Sequence, residues 1–333
     1  MGTKSPGIWP IPAGTRDYLP GEARRRRQLE NQLAELFESQ GFEEVITPTL
    51  EFFETMAVEM GEELENQLYR LFDRDGRLLV LRSDMTTPIA RLVATRMRHL
   101  ALPLRLFYLS NVFRYESPQA GRMREFGQAG VELVGQPESS ADAEIIALSV
   151  KALHRVGLED FQVSLGQIPV FNAIMDEVRL PENVVRLIKG AIARKDLVGL
   201  EQTLDAHRVA GGQKELILEF SDLQGGREVL GRAKSMVNGD YARQAIDRLE
   251  EVFDHLGDLG VEESVQLDLG LLRDFDYYTG IVFEGYTTDL GFTICGGGRY
   301  DNLLEKFGYP CPAIGFALGL DRLLLARANQ RDR

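Results

Sequence analysis

The chain has 333 residues, 44% of them hydrophobic and 27% charged, enough apolar material for one large domain or two moderate ones. No apolar run reaches the ~18–20 residues needed to cross a bilayer, and the first residues lack the apolar stretch of a signal peptide, so a cytoplasmic protein is expected. A net charge of −13 gives no whole-molecule attraction to nucleic acid.

After a Pro- and Gly-rich lead, Leu29, Leu33, Leu36 and Phe37 share one face and predict an amphipathic helix over residues 21–40. Arg24, Arg25, Arg26 and Arg27 at its start read as a solvated face. Gly41 is placed to end this helix, and residues 42–47 read as a strand stopped before Pro48. Further strands are expected at 77–81, 104–112 and 129–134. A second helix follows, with Ile145, Leu148, Ala152, Leu153 and Val156 on one face and Ser149 on the same stripe. His154 beside that stripe reads as structural. Residues 170–257 are rich in Ala, Leu, Glu, Arg and Lys and read as several helices. Strands return at 264–269, 279–286 and 291–295, then a glycine-rich turn (Gly296, Gly297, Gly298) and a last helix over 315–327. Strands, helices and strands again predict an α+β fold with a helical insertion.

Several machines are missing. There is no Walker loop, dinucleotide fingerprint, nucleophile elbow or metal-type helix pair. Nor is there the acidic, Gly-Thr phosphate loop of a phosphoribosyltransferase. Two cysteines, Cys295 and Cys311, cannot form a disulfide framework, and no Cys/His spacing suggests zinc. No metal and no cofactor are expected.

Three blocks carry the chemistry. The first runs from Phe113, Arg114, Tyr115 and Glu116 through a polar turn to Phe126, before a strand that carries Gln128 and Glu132. The second contains Arg273, Asp274, Phe275, Asp276, Tyr277, Tyr278 and Thr279. The third is Gly296, Gly297, Gly298, Arg299, Tyr300 and Asp301, followed by Gly315 to Arg322. Each alone has an ordinary explanation as a salt bridge, a core edge or a turn. Their order and spacing together do not.

Together the blocks resemble the second and third signatures of class II aminoacyl-tRNA synthetases. The Tyr277-Tyr278 block is similar to the histidine-recognition loop of histidyl-tRNA synthetases, and Gly14 to Pro20 resembles that family's start. The resemblance covers nearly the whole chain. It implies an antiparallel sheet flanked by helices, with a synthetase-like histidine-binding domain over residues 1–169 and 258–333 and the helical insertion over 170–257. It also implies a homodimer interface near residues 21–50.

The implied ligand is free L-histidine, which brings an ammonium, a carboxylate and an imidazole that a buried site must all satisfy. By the family pattern Asp84, Thr86 and Gln128 take the ammonium, and Arg114 and Arg273 face the carboxylate. Glu132 and Tyr278 hold the imidazole, with Tyr277 beside them. Gln128 and Glu132 are four apart on a strand and so share a face. Glu116 and Arg322 stand as residual nucleotide contacts of the family's ATP site, and no catalytic residue is assigned.

The departures point further. The chain stops soon after Arg322, so no C-terminal anticodon-binding domain is expected and no tRNA partner. Arg82, Ser83, Asp84, Met85 and Thr86 stand where the synthetases have Arg-Pro-Glu-Gly-Thr, and Ser117 stands where they carry an arginine. These changes resemble the synthetase paralogues that serve as regulatory subunits of short-form ATP phosphoribosyltransferase, the first enzyme of histidine biosynthesis. The expectation is a regulatory protein, not an enzyme by itself, with histidine as effector. It would partner a short catalytic subunit, as a homodimer within a larger hetero-oligomer away from any membrane. A truncated synthetase or histidine-adenylating enzyme is the alternative, kept open by Arg114, Glu116, Arg273 and Arg322. A ligand-free scaffold is a third reading.

Overall fold

A computed structural model describes residues 10–58, 60–116, 123–237, 239–272, 277–288 and 290–331. Its centre is a nine-stranded sheet in the order β1-β5-β6-β12-β11-β10-β7-β9-β8. The long strands β5 (Leu104–Phe113) and β6 (Glu125–Val134) form an antiparallel hairpin. Antiparallel pairing continues through β12 (Ala313–Gly319), β11 (Cys295–Arg299), β10 (Ile281–Tyr286) and β7 (Gln162–Gln167). Parallel neighbours sit near the two edges: β1 (Glu43–Glu44) on β5, and β9 (Val265–Asp268) on β7. A separate three-stranded sheet joins β2 (Leu50–Phe52), β4 (Leu78–Leu81) and β3 (Arg70–Phe72).

The two-residue alternation of a strand divides the large sheet into two unlike faces. Ala129, Val131 and Leu133 of β6 are buried, as are Ile314, Phe316 and Leu318 of β12. They pack in one core with Leu29, Leu33 and Phe37 of the Pro20–Ser39 helix and with the apolar side of the Ser139–Arg155 helix. Phe37 lies 5.7 Å from Phe107 and 6.0 Å from Phe316, in the tilted arrangements that aromatic rings favour. The opposite face presents Gln128 and Glu132 beside small residues, and the site forms there.

The helical stretch falls where composition places it. Among the described residues six helices run from Ile168–Val178 to Asp240–Asp258, and their apolar sides join the same core. One short strand within it, β8 (Gln224–Gly225), pairs with β9 and stitches the stretch to the sheet edge. Arg248 of its last helix also reaches into a buried ionic cluster. Asp142, fully buried, accepts from Arg248 Nη2 at 2.7 Å and from Arg299 Nε at 2.7 Å.

Some local readings change. Gly296, Gly297 and Gly298 do not form a turn; they lie inside β11. They are glycine because the neighbours press close: a Cβ on Gly297 would meet the Gly315 carbonyl oxygen at 2.3 Å. The strand expected at 291–295 is therefore displaced to Cys295–Arg299, and the last helix begins at Leu320, after β12 rather than at 315. The strand expected at 42–47 shrinks to two residues. Arg26 is not part of a uniformly solvated patch. It is half-buried, donating from Nη2 to Asn111 at 2.6 Å and from Nε to Glu30 at 2.9 Å.

Candidate functional site

The pocket lies on the polar face of the large sheet, a cavity of about 1120 Å³. Its floor is set by register. Glu132 stands opposite Gly315, which in turn stands opposite Gly298, while Gln128 stands opposite Gly319. The absence of side chains there is obligatory at Gly315, since a Cβ would fall 1.8 Å from Glu132 Oε2 and 2.4 Å from the Val131 carbonyl oxygen. Tyr108 of β5 and Tyr300, which follows β11, close the floor, both almost fully buried. Tyr277 and Tyr278 stack against this wall, with rings 4.7 Å apart and Tyr277 5.8 Å from Tyr300.

Glu132 is buried beneath this floor. It is 1% exposed, and its two oxygens are held separately: Oε1 accepts from the Thr86 hydroxyl at 2.8 Å, and Oε2 accepts from the Tyr300 hydroxyl. Burial pushes its carboxyl up to about 8, the two hydroxyl donors pull it back, and Asp84 adds a further upward push. Asp84 leaves β4 just before the Thr86–Leu92 helix. Its Oδ1 accepts from the Thr87 backbone N–H at 3.0 Å, at the exposed-donor end of that helix. Burial raises the Asp84 carboxyl too, against the lowering effects of that N–H and of the Arg114 guanidinium.

Two acceptors facing this region are buried with no hydrogen-bond partner among the described residues: Asp84 Oδ2 and Gln128 Oε1. A buried acceptor left unmade costs about 1–3 kcal/mol, so a donor placed at this point of the pocket would be favoured. Arg114, half-buried, donates from Nε to the Ser83 carbonyl at 2.9 Å, next to Asp84, and lies 5.5 Å over the Phe126 ring. Arg322 donates to the Thr293 carbonyl at 2.7 Å and lies 5.1 Å over Phe292. Glu116 lines the same cavity. Carboxyl, tyrosine and guanidinium groups therefore line one pocket together, with Arg114 close enough to Asp84 to act on its carboxyl.

The fold brings together Asp84, Thr86, Arg114, Gln128, Tyr277 and Tyr278, with Glu116 and Arg322, all lining one cavity, while Glu132 is buried beneath it and reaches the lining only through its bonds to Thr86 and Tyr300. Arg273 and Ser117 lie outside the described residues. Thr86 stands between Asp84 and Glu132 with its hydroxyl committed to the glutamate. Sequence reasoning did not single out Tyr300 or Tyr108. Tyr300 stood within the quoted third block, and its place directly after the strand carrying Gly298 was the available signal; Tyr108 had none. Among the described residues no group of three or more His, Cys, Asp or Glu is placed to hold a metal, and no helix is long and apolar enough to cross a membrane.

The N-terminal segment braces the site from outside. Arg124 N–H donates to the Gly14 carbonyl at 2.7 Å, and the Tyr18 hydroxyl donates to Asp321 on the last helix. Burial and the Asp321 carboxylate together raise the Tyr18 hydroxyl to about 12.

A large antiparallel sheet with one helix-covered face and a polar pocket on the other is the architecture of a class II synthetase-like protein. The family model described as histidyl-tRNA synthetase matches residues 14–323. The ATP phosphoribosyltransferase regulatory subunit of Moorella thermoacetica is 52% identical over 319 residues, covering 96% of this chain and 82% of the relative. That of Desulforamulus reducens is 48% identical over 314 residues, covering 94% and 78%. A crystal structure from Bacillus halodurans, described as an ATP phosphoribosyltransferase regulatory subunit/histidyl-tRNA synthetase, superposes with a TM-score of 0.90 at 38% identity, covering 97% of this chain and 84% of that one. The chain belongs to the family of ATP phosphoribosyltransferase regulatory subunits, on the histidyl-tRNA synthetase fold.

Proposed function

We propose that this chain is the histidine-sensing regulatory subunit of an ATP phosphoribosyltransferase in histidine biosynthesis. It acts with a short catalytic subunit and is not catalytic by itself. The observation that carries the histidine assignment is the pair of partnerless buried acceptors, Asp84 Oδ2 and Gln128 Oε1, beside the Glu132–Thr86–Tyr300 cluster. An α-ammonium supplies three donors to the first group, and an imidazole N–H meets Glu132, with the Tyr278 hydroxyl within the same wall. Arg114 and Arg273 take the carboxylate. Small apolar amino acids offer nothing to Glu132 and leave it buried without a ligand partner.

The same reading makes residues 1–169 and 258–333 the histidine-binding domain and 170–257 a helical insertion. It takes no cofactor and no tRNA, and its assembly is a homodimer within a hetero-oligomer in the cytoplasm. Histidine can inhibit only if it binds two states of that assembly with different free energy. Calorimetry on the purified chain tests the pocket: saturable heat with L-histidine and none with L-leucine is expected, and equal response to both overturns the assignment. Co-purification with the short catalytic subunit tests the partner.

A second reading has a specific observation in its favour. Glu116 and Arg322 line the same cavity, in the positions of the family's nucleotide contacts. Histidine-dependent exchange of pyrophosphate into ATP by the chain alone would establish that activity; no exchange and no transfer to tRNA are expected of a regulator.

A further inference from the structure

We propose that a buried ionic joint, Arg248–Asp142–Arg299, fixes the pocket wall from the helical insertion, and that Arg248, which lines no part of the cavity, is a positioning residue for the ligand. This rests on the histidine reading of the site. It adds the element outside the pocket that responds to occupancy.

The joint passes through the sheet. Cross-strand neighbours in an antiparallel pair share a face, so Arg299, opposite Ile314, lies on the helix-covered side of β11. The next residue, Tyr300, turns to the other side and lines the cavity. Arg299 is 3% exposed, and every arm of its guanidinium is bonded. Nε donates to Asp142 Oδ1 at 2.7 Å, Nη1 to Asp301 Oδ1 at 3.0 Å and Nη2 to the Gln136 carbonyl at 3.1 Å. The residues on either side of Tyr300 are thus clamped to each other.

They are also tied to the segment that carries Tyr277 and Tyr278. Thr279 N–H donates to the Arg299 carbonyl at 2.8 Å, and Asp301 N–H donates to the Thr279 hydroxyl at 2.9 Å. The stem of Arg299 lies against Gly280, where an added Cβ would meet it at 3.2 Å. Three tyrosines that line the pocket are therefore fastened to one arginine on the far side of the sheet.

That arginine is held in turn by the insertion. Asp142, from the Ser139–Arg155 helix, divides its oxygens: Oδ1 accepts from Arg299, and Oδ2 accepts from Arg248 of the Asp240–Asp258 helix at 2.7 Å. Arg248 Nη2 also donates to the Pro137 carbonyl at 2.6 Å, so the two guanidiniums grip adjacent residues of the link between β6 and the Asp142 helix. Each carboxylate oxygen serves a different arginine, and moving either arginine alone leaves a buried charge short of a partner. A close-packed interior of this kind transmits a shift rather than absorbing it. A tyrosine wall that tightens on a ligand must carry Arg299, Asp142 and Arg248 with it. A helix that releases Asp142 loosens the wall by the same coupling, which is reciprocal.

Both directions are measured on the full chain. Titration calorimetry with L-histidine compares wild type with Arg248→Met, which leaves Asp142 paired with Arg299. The dissociation constant of the folded variant should rise about 3- to 30-fold. Hydrogen exchange reads the reverse direction: saturating histidine should slow exchange in the Asp240–Asp258 helix of wild type, and this slowing should disappear in the variant. Arg248→Lys restores one charge-assisted bond to Asp142 and should recover part of both effects; it decides alone where the methionine variant does not fold. Arg232→Met is the control. It breaks an insertion ion pair with Glu219 (2.8 Å) on two other helices and should leave both readouts at wild-type values.

An Arg248 variant that is less stable, yet keeps the wild-type dissociation constant and the histidine-dependent slowing, has lost only a structural bond and overturns the inference. An equal loss of affinity in Arg232→Met overturns it as well. Wild type that binds no histidine overturns the ligand reading beneath it, and this inference with it.

Discussion

Two faces of one sheet obey opposite rules in this molecule. Along β6, Ala129, Val131 and Leu133 point into a core where ring packs against ring. Gln128 and Glu132, their immediate neighbours in sequence, lie on the opposite face, Gln128 lining a pocket floored by glycine where its Oε1 and Asp84 Oδ2 have no partner among the described residues. The first face contributes stability. The second leaves those two acceptors without a bond from the fold. A strand's period of two lets both coexist with no linker between them.

The contrast can be broken most severely from the core side. Phe316→Ala removes a ring touching Phe37 and Phe283 and should cost about 3–5 kcal/mol in urea unfolding, with ligand preference unchanged in the folded fraction. On the pocket side the largest effect comes from adding rather than removing atoms. Gly315→Ala places a methyl group against Glu132 and the Val131 carbonyl; it should cost about 1–3 kcal/mol of stability and abolish histidine binding in calorimetry.

Glu132→Gln should act in the reverse direction. The unfolded chain ionises this carboxyl near its ordinary value of 4.5, whereas the folded chain keeps the proton to about 8. Across that window the folded state binds more protons, so wild-type stability falls as pH rises, and the full penalty is reached above about 8. The variant lacks this slope. Its stability relative to wild type, read by thermal unfolding, should therefore rise from pH 5 to pH 8 by an amount on the order of 1 kcal/mol or more. A difference independent of pH would mean that the carboxyl is not held neutral. The smallest effect belongs to Gln128→Ala. Its Oε1 makes no bond in the fold, so stability should stay within about 0.5 kcal/mol of wild type while histidine binding weakens.

Much of this division was legible in the amino-acid order. The helix at residues 20–39 announced itself through Leu29, Leu33 and Phe37, and the strand through Gln128 and Glu132, because single-face patterns survive without tertiary context. The pocket residues were legible as blocks of unusual polarity next to glycine. Gly296 to Gly298 misled, since a glycine run marks either a turn or a crowded strand, and only the neighbouring chains decide between them. Arg26 reads like Arg24 and Arg25, yet a distant partner, Asn111, draws it inward. Tyr108 joins the site across a hairpin, and no local pattern distinguishes it from a core tyrosine.

The central claim is that this pocket, rather than a site on the catalytic partner, reports histidine to the assembly. It is tested most directly by histidine inhibition curves on the complex reconstituted with the short catalytic subunit, wild type against Gln128→Ala. The prediction is that the variant assembles and turns over as wild type does, while its inhibition curve moves to higher histidine by at least about tenfold, in the range typical of ~1–3 kcal/mol of coupling. Superimposable curves from an assembled, active variant would contradict it and place the effector site elsewhere.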